Sequence, residues 1–250
     1  MGAAHWTPRS GPPNVESDRL DRQRALLENA RDLAAAMDVT LRTSAMVAGD
    51  AGEALVDVAS EERADQILVG WQGRSERADC ALGSTLDTVV SEAPCDASLI
   101  RVRNDAVGRP IALAGAGPHA PVAARRAADF VTVSDSVATL LNVQRRTPAA
   151  DGDPDRVERG RETIESVARR GGLESEEYET VVVVATDVES AILQTIREYD
   201  TVCVGLSERS ALSRTTFGSL AELISREFSG NVGLVRRAGA SESPPDGDNG

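Results

Sequence analysis

The sequence predicts an α/β protein made of two doubly wound parallel-sheet units in tandem, and three observations carry that prediction. A glycine pattern is written twice: Gly70-Trp71-Gln72-Gly73, nine residues, Gly83-Ser84, and again, 135 positions on, Gly205-Leu206-Ser207-Glu208, nine residues, Gly218-Ser219. Each copy follows a short apolar run (Ile67 to Val69, Val202 to Val204) and opens an amphipathic stretch. Both therefore occupy a strand-to-helix turn, the place where α/β folds bind phosphate. Finally, Asp65 to Arg101 aligns without a gap on Asp200 to Arg236, with Asp-Gln-Ile-Leu-Val-Gly matching Asp-Thr-Val-Cys-Val-Gly and Ser-Leu-Ile-Arg matching Gly-Leu-Val-Arg. Such a match is a duplication.

The second copy reads as a complete unit. Pro110 to Ala114 is a buried strand, Pro121 to Val131 a helix and Val137 to Val143 a second strand. Asp153 to Arg170 has helical periodicity ended by Gly171-Gly172, Tyr178 to Val184 is a strand, and Asp187 to Tyr199 is a helix with Asp187 as N-cap. Val202 to Val204, Ser219 to Phe228 and Val232 to Arg236 supply the fourth strand, fourth helix and fifth strand. Strands separated by helices give a parallel, doubly wound sheet with right-handed crossovers, a fold whose usual strand order is 3-2-1-4-5.

The first copy repeats this order through a helix at Ser17 to Met37, a strand at Val39 to Met46, a helix at Asp50 to Arg63, the strand before Gly70, a helix at Ser84 to Glu92 and a strand at Ala97 to Val102. Its beginning is missing. At the same offset, the second copy's first strand and helix fall before residue 1, and its second strand falls on the poor strand sequence from Gly2 to Pro8. The first unit is thus expected to lack one strand and one helix. The expected domains are 1–104 and 108–237, joined by the linker Asn104 to Gly108 and followed by a disordered tail, 238–250, rich in Ser, Pro, Gly and Asp.

Composition agrees with two modest cores: 250 residues with 41% hydrophobic content suit two domains of about 100 to 150 residues. Acidic residues number 40 against 27 basic ones, no lysine occurs, and the net charge is −13. That balance argues against a nucleic-acid or anionic-membrane binder, because neutralising phosphates needs a positive surface. An acidic, lysine-free chain suits halophilic adaptation, in which surface carboxylates maintain solubility. A high-GC genome that replaces Lys with Arg is the other reading. Cys80, Cys95 and Cys203 have no metal or redox spacing and read as reduced structural thiols. No run approaches 18 apolar residues and no signal pattern opens the chain, so the expected localisation is cytoplasmic.

The spacing Gly-x2-Gly-x9-Gly-Ser of the first copy, with the Ala93-Pro94-Cys95 turn into the last strand, resembles the nucleotide-binding signature of universal stress proteins, a Rossmann-like fold. The resemblance covers about residues 17 to 103 and 108 to 237. Glycines at 70, 73 and 83 give backbone amides access to a polyphosphate, and Ser84 opens a helix whose free N–H groups favour an anion. The resemblance implies that Ser84 and Thr85 touch phosphate, that Val69 flanks adenine, and that the loop wraps ribose and phosphates. Its ligand would be ATP or ADP, with Mg2+ as an accompanying ion, held by the first unit alone. The family's carboxylate at the end of the first strand has no counterpart. In the second copy that place reads Ala114-Gly115-Ala116-Gly117, and in the first copy the strand is absent.

The second loop is degenerate. Around Gly205, Gly218 and Ser219 the pattern persists, but Glu208 stands where the middle glycine belongs. A carboxylate there repels phosphate by roughly 4 kcal/mol at 4 Å and an effective dielectric of about 20. Arg209 and Arg214 could serve another anion, but decay is the simpler reading. Paired stress domains also occur as cytoplasmic tails of membrane transporters, which would account for a start in mid-domain. A fragment or mis-started chain would do so too.

Enzymatic chemistry has little support beyond weak ATP hydrolysis, since no general base or Mg2+ carboxylate can be placed. His5 and His119 read as ordinary surface histidines, and Glu174-Ser175-Glu176-Glu177 as a solvated turn. Trp71 either covers a ligand or packs on the neighbouring helix. The sequence thus points to a nucleotide-binding regulatory module of the stress response that signals to a partner or an attached transporter, with its two units as an intramolecular pseudo-dimer and a homodimer left open. The alternative is a ligand-free dimerisation scaffold with relic sites.

Overall fold

The computed structural model describes residues 13–44, 46–71, 84–134, 136–146, 155–206 and 219–239. The chain divides into two compact units, Met1–Gly49 and Asp50–Gly250. In the first, helix α1 (Pro13–Ala36) ends in a tight turn in which Asp38 has φ 54 and the Val39 N–H donates to the Ala34 carbonyl at 2.9 Å. The Arg31 guanidinium donates to Thr43 Oγ1 at 2.5 Å. Val39 to Met46, expected as a strand, forms none among its described residues, and Val39, Leu41 and Met46 are exposed. An alternating pattern makes a strand only when a neighbour satisfies its backbone groups, and no described residue of this unit offers one.

The second unit contains six helices, α2 (Ala51–Glu61), α3 (Ser84–Glu92), α4 (Ala120–Val131), α5 (Arg156–Gly171), α6 (Val188–Ile196) and α7 (Ser219–Glu227), among its described residues. Its strands are β1 (Gln66–Gly70), β2 (Asp96–Arg101), β3 (Pro110–Leu113), β4 (Ala138–Arg145), β5 (Tyr178–Ala185), β6 (Thr201–Gly205) and β7 (Asn231–Arg236). They form one seven-stranded sheet in the order β1-β2-β7-β6-β3-β4-β5. The run β5-β4-β3-β6-β7 is parallel and reproduces the expected 3-2-1-4-5 order.

Local signals set the element ends. Asp50 Oδ1 accepts from the N–H groups of Gly52 and Glu53 at 2.7 and 3.1 Å, and Asp187 Oδ1 from that of Ser190 at 3.1 Å, so both carboxylates cap helix starts. Helix α5 stops at Gly172, whose φ of 69 is left-handed and favours glycine. Strands β3, β6 and β7 are buried on both faces. Ile111, Val202 and Leu234 look into one apolar layer with α6 and α7 residues, whereas Ala112, Cys203 and Val235 look into the opposite layer beneath α4 and α5, as central parallel strands require.

The two copies meet where the sheet turns antiparallel, between β2 and β7. Leu99 faces Leu234 in this pair, with Ala97 opposite Arg236 and Arg101 opposite Val232. Leu99 and Leu234 are duplicated positions, so a pseudo-two-fold axis passes between them. Asn231 Oδ1 accepts from the N–H groups of Arg103 and Asn104 at 2.8 and 3.0 Å, and Asp96, its counterpart, accepts at Oδ1 from the Ala238 N–H at 2.8 Å. The linker is held as well. Gly108 has φ +60 and presses against Asp200, where a Cβ would come within 2.2 Å of Oδ2, and Asp200 Oδ2 accepts from the Arg109 N–H at 2.8 Å.

Candidate functional site

The first glycine loop starts from the end of β1. Val69 packs in both adjoining core layers, and Gly70 ends the strand with nothing within 4 Å of a notional Cβ among the described residues. Its φ is not positive, so the described residues do not demand glycine there. Gly73 and Gly83 lie outside the described residues, while Ser84 is the first residue of α3 and Thr85 the second. The first turn of α3 is fixed from α2. A Cβ on Gly52 would meet Thr88 Cβ at 2.7 Å and the Thr85 carbonyl at 2.9 Å, so only glycine lets the helices approach this closely. Trp71 takes the packing role. It is buried in the core layer that also contains Leu86 and Val90 of α3, and Arg101 Cζ stands 5.8 Å from its ring centroid.

The second loop starts from β6, between whose end and that of β3 the strand order reverses, the usual crevice of this architecture. Here the strand-end glycine is covered. A Cβ on Gly205 would touch His119 Cβ at 2.8 Å and the His119 carbonyl carbon at 3.2 Å. His119 is therefore no surface histidine. It is 4% exposed, and its Nδ1 accepts from the Arg237 N–H at 3.0 Å. The sequence carried no local signal for this, because the burial depends on residues far along the chain. Ala114, just past β3, is fully buried, and its carbonyl accepts from Asn142 Nδ2 at 2.6 Å. Gly115 and Gly117 have nothing within 4 Å of a notional Cβ among the described residues. Glu208, Arg209, Arg214 and Gly218 lie outside the described residues, and Ser219 begins α7.

Two arginines at duplicated positions cross the seam. Arg101 donates from NH2 to the Phe228 carbonyl at 2.9 Å and the Gly230 carbonyl at 3.4 Å, and from NH1 to the Ser225 carbonyl, so it caps the C-terminal end of α7. Arg236 donates to the Ala93 carbonyl, just past α3, at 3.2 Å. Both arginines stood in the matched strand ends, which is the signal that could have found them. Burial, and secondarily Arg103, lowers the Arg101 pKa to about 10, so it stays charged at neutral pH. Burial raises the Cys203 thiol to about 12 and also raises Cys95, as expected of unreactive structural thiols. Cys80 and His5 lie outside the described residues.

No group of three His, Cys, Asp or Glu that could hold a metal occurs among the described residues. The acidic turn at Ser175–Glu177 is a single 3-10 turn in which the Glu177 carboxylate accepts from the Glu174 N–H at 2.7 Å. No helix of the described residues is long and apolar enough to cross a membrane.

The sequence model of the Universal stress protein family matches residues 4–101 and again 110–236. A universal stress protein from Archaeoglobus fulgidus DSM 4304 superimposes with a TM-score of 0.61 at 19% identity, covering 92% of this chain and 81% of its own. A candidate universal stress protein from Pseudomonas aeruginosa UCBPP-PA14 gives 0.55 at 13% identity, covering 85% and 77%. The Na(+)/H(+) antiporter NhaS5 of Synechocystis sp. (strain ATCC 27184 / PCC 6803 / Kazusa) is 31% identical over 90 residues, which are 36% of this chain. The match spans only 13% of that antiporter's length.

Proposed function

Because the chain belongs to the universal stress protein family, we propose that it is a nucleotide-binding regulatory module in which ATP or ADP occupies the first glycine loop, Gly70 to Thr85. The observation that carries this reading is the contrast between the two strand ends: among the described residues nothing approaches the backbone at Gly70, whereas the backbone at Gly205 is covered by His119. The loop starts from a strand end and finishes at the N-terminus of α3, where free N–H groups favour phosphate oxygens. Val69 would flank the base, Gly70, Gly73 and Gly83 would admit the phosphates, and Ser84 and Thr85 would hold them, with Mg2+ on the phosphate oxygens. The second loop binds no nucleotide in this reading, and hydrolysis is weak at most. The functional domains are 1–104 and 108–237, and occupancy signals to a partner or to a transporter, a direction supported by the partial likeness to an antiporter.

A second reading, a ligand-free scaffold with relic loops, is favoured by the outer edge of β1, against which no strand lies among the described residues. Titrating the full chain with a fluorescent ATP analogue separates the two. Saturable binding that Gly73→Glu abolishes is expected for the nucleotide module. Absence of saturable binding, or binding indifferent to that substitution, rejects it in favour of the scaffold.

A further inference from the structure

The sheet has two edges, and they differ in kind. β1 has five residues, whereas β5 has eight and, among the described residues, pairs only with β4. From Thr180 to Ala185 the β5 edge has no charge, proline or glycine, and so lacks the residues that usually blunt an open edge. Its faces are already occupied. Val182 lies against α5, where a Cβ on Gly160 would meet its Cγ1 at 2.4 Å, and Val181 and Val183 pack against the layer containing Ile192 and Ile196. What remains to be satisfied is the outer row of main-chain groups. The Ala185 carbonyl accepts from the Arg146 N–H on the β4 side, so by strand alternation Thr180, Val182 and Val184 turn their N–H and C=O groups outward.

We infer that β5 is a self-association edge, on which a second copy of this chain lays its own β5 antiparallel about a two-fold axis at Val182. That register uses all three outward residues, pairing Val182 with itself and Thr180 with Val184 of the second copy. Charge selects this occupant and this direction. Glu179 comes opposite Ala185 of the second copy, beyond which Arg145 lies in register on β4. Glu179 and Arg145 are both exposed and on the same face, with only an alanine between them, so each end of the joint gains an acid–base pair. Parallel pairing would instead set Glu179 beside Glu179. Two terms oppose the joint: Arg145 already interacts with Asp187 of its own chain, and each chain has a net charge of −13. The dimer is accordingly weak and reversible.

Sedimentation of the full chain over a concentration series, with variants, tests this. The wild type should show a monomer–dimer equilibrium. Val184→Pro removes an outward N–H without touching the β4 ladder and should leave only monomer. Arg145→Glu should weaken the dimer by about tenfold, and adding Glu179→Arg to it should restore association. A wild type that stays monomeric throughout, or a dimer indifferent to both single changes, overturns the proposal. Circular dichroism checks the fold of the proline variant. If that variant is unfolded, the charge-reversal pair decides alone.

Discussion

Leu68 and Cys203 hold the same place in two copies of one unit, yet Leu68 is 58% exposed and Cys203 fully buried. The strands that bear them are alike, and the difference comes from what lies alongside. Strand β6 has β3 on one side and β7 on the other, with α4 and α5 residues closing the layer into which Cys203 points. Among the described residues, strand β1 has β2 alone. An identical local sequence pattern therefore produces a core strand in one copy and an edge strand in the other. Burial is a property of the neighbours a topology supplies, not of the strand.

The comparison breaks most visibly under a carboxylate. Cys203→Asp places an unpaired charge in a dry layer and should cost at least about 3 kcal/mol, lowering the urea midpoint sharply or abolishing folding. Leu68→Asp should stay within about 0.5 kcal/mol, as exposed substitutions do. A large loss at Leu68 would mean that something covers that face of β1. Thiol labelling gives an independent check, because a thiol pushed up to about 12 by burial should be alkylated only on unfolding.

The same contrast explains which features were legible in the sequence. Helix caps such as Asp187, the Gly171-Gly172 stop and the apolar runs before each glycine loop are local signals, and each element formed close to where they put it. Val39 to Met46 reads as a strand on equally local grounds, but a strand needs a neighbour, and no strand forms among its described residues. His119 sits in a Gly-Pro-His-Ala-Pro loop, and nothing nearby says that Gly205 will close over it. The antiparallel β2–β7 seam was illegible for the same reason: pairing between duplicated fifth strands is a choice of partner, which no strand's own pattern encodes. Of the candidate nucleotide site, the strand end and the helix start are described. The central glycines 73 and 83 lie outside the described residues.

The seam offers a finer contrast, between arginines that the duplication made equivalent. Arg101 is 2% exposed and is bonded to three carbonyls at the end of α7, whereas Arg236 is half-buried and reaches one at 3.2 Å. Arg101→Met relieves a buried charge but strands those carbonyls, and should destabilise by about 2 kcal/mol. Arg236→Met should cost about 0.5 kcal/mol. Because burial sets the folded pKa of Arg101 at about 10, below its ordinary 12.5, the unfolded chain binds the extra proton only between those values. Stability attributable to this group therefore rises with pH only above about 10, and the Arg101→Met difference should be flat from pH 6 to 9 in urea titrations. Equal effects of the two substitutions would mean that the copies share the seam evenly.

The contrast at the strand-end glycines is of similar size, and it bears most directly on function. Gly205→Ala must push its methyl against His119 Cβ, now 2.8 Å from that position. His119 is held by its bond to the Arg237 N–H, so the backbone has to give, at a cost of about 1 to 2 kcal/mol. Gly70→Ala meets nothing within 4 Å among the described residues and has no positive φ to defend, so stability should be unchanged or slightly raised through the unfolded chain. Any requirement for glycine at 70 must then come from something other than the described residues. If Gly70→Ala leaves the melting temperature intact yet weakens binding of the ATP analogue, the residue is kept for a ligand. If it leaves both intact, glycine at 70 serves neither the described fold nor this ligand.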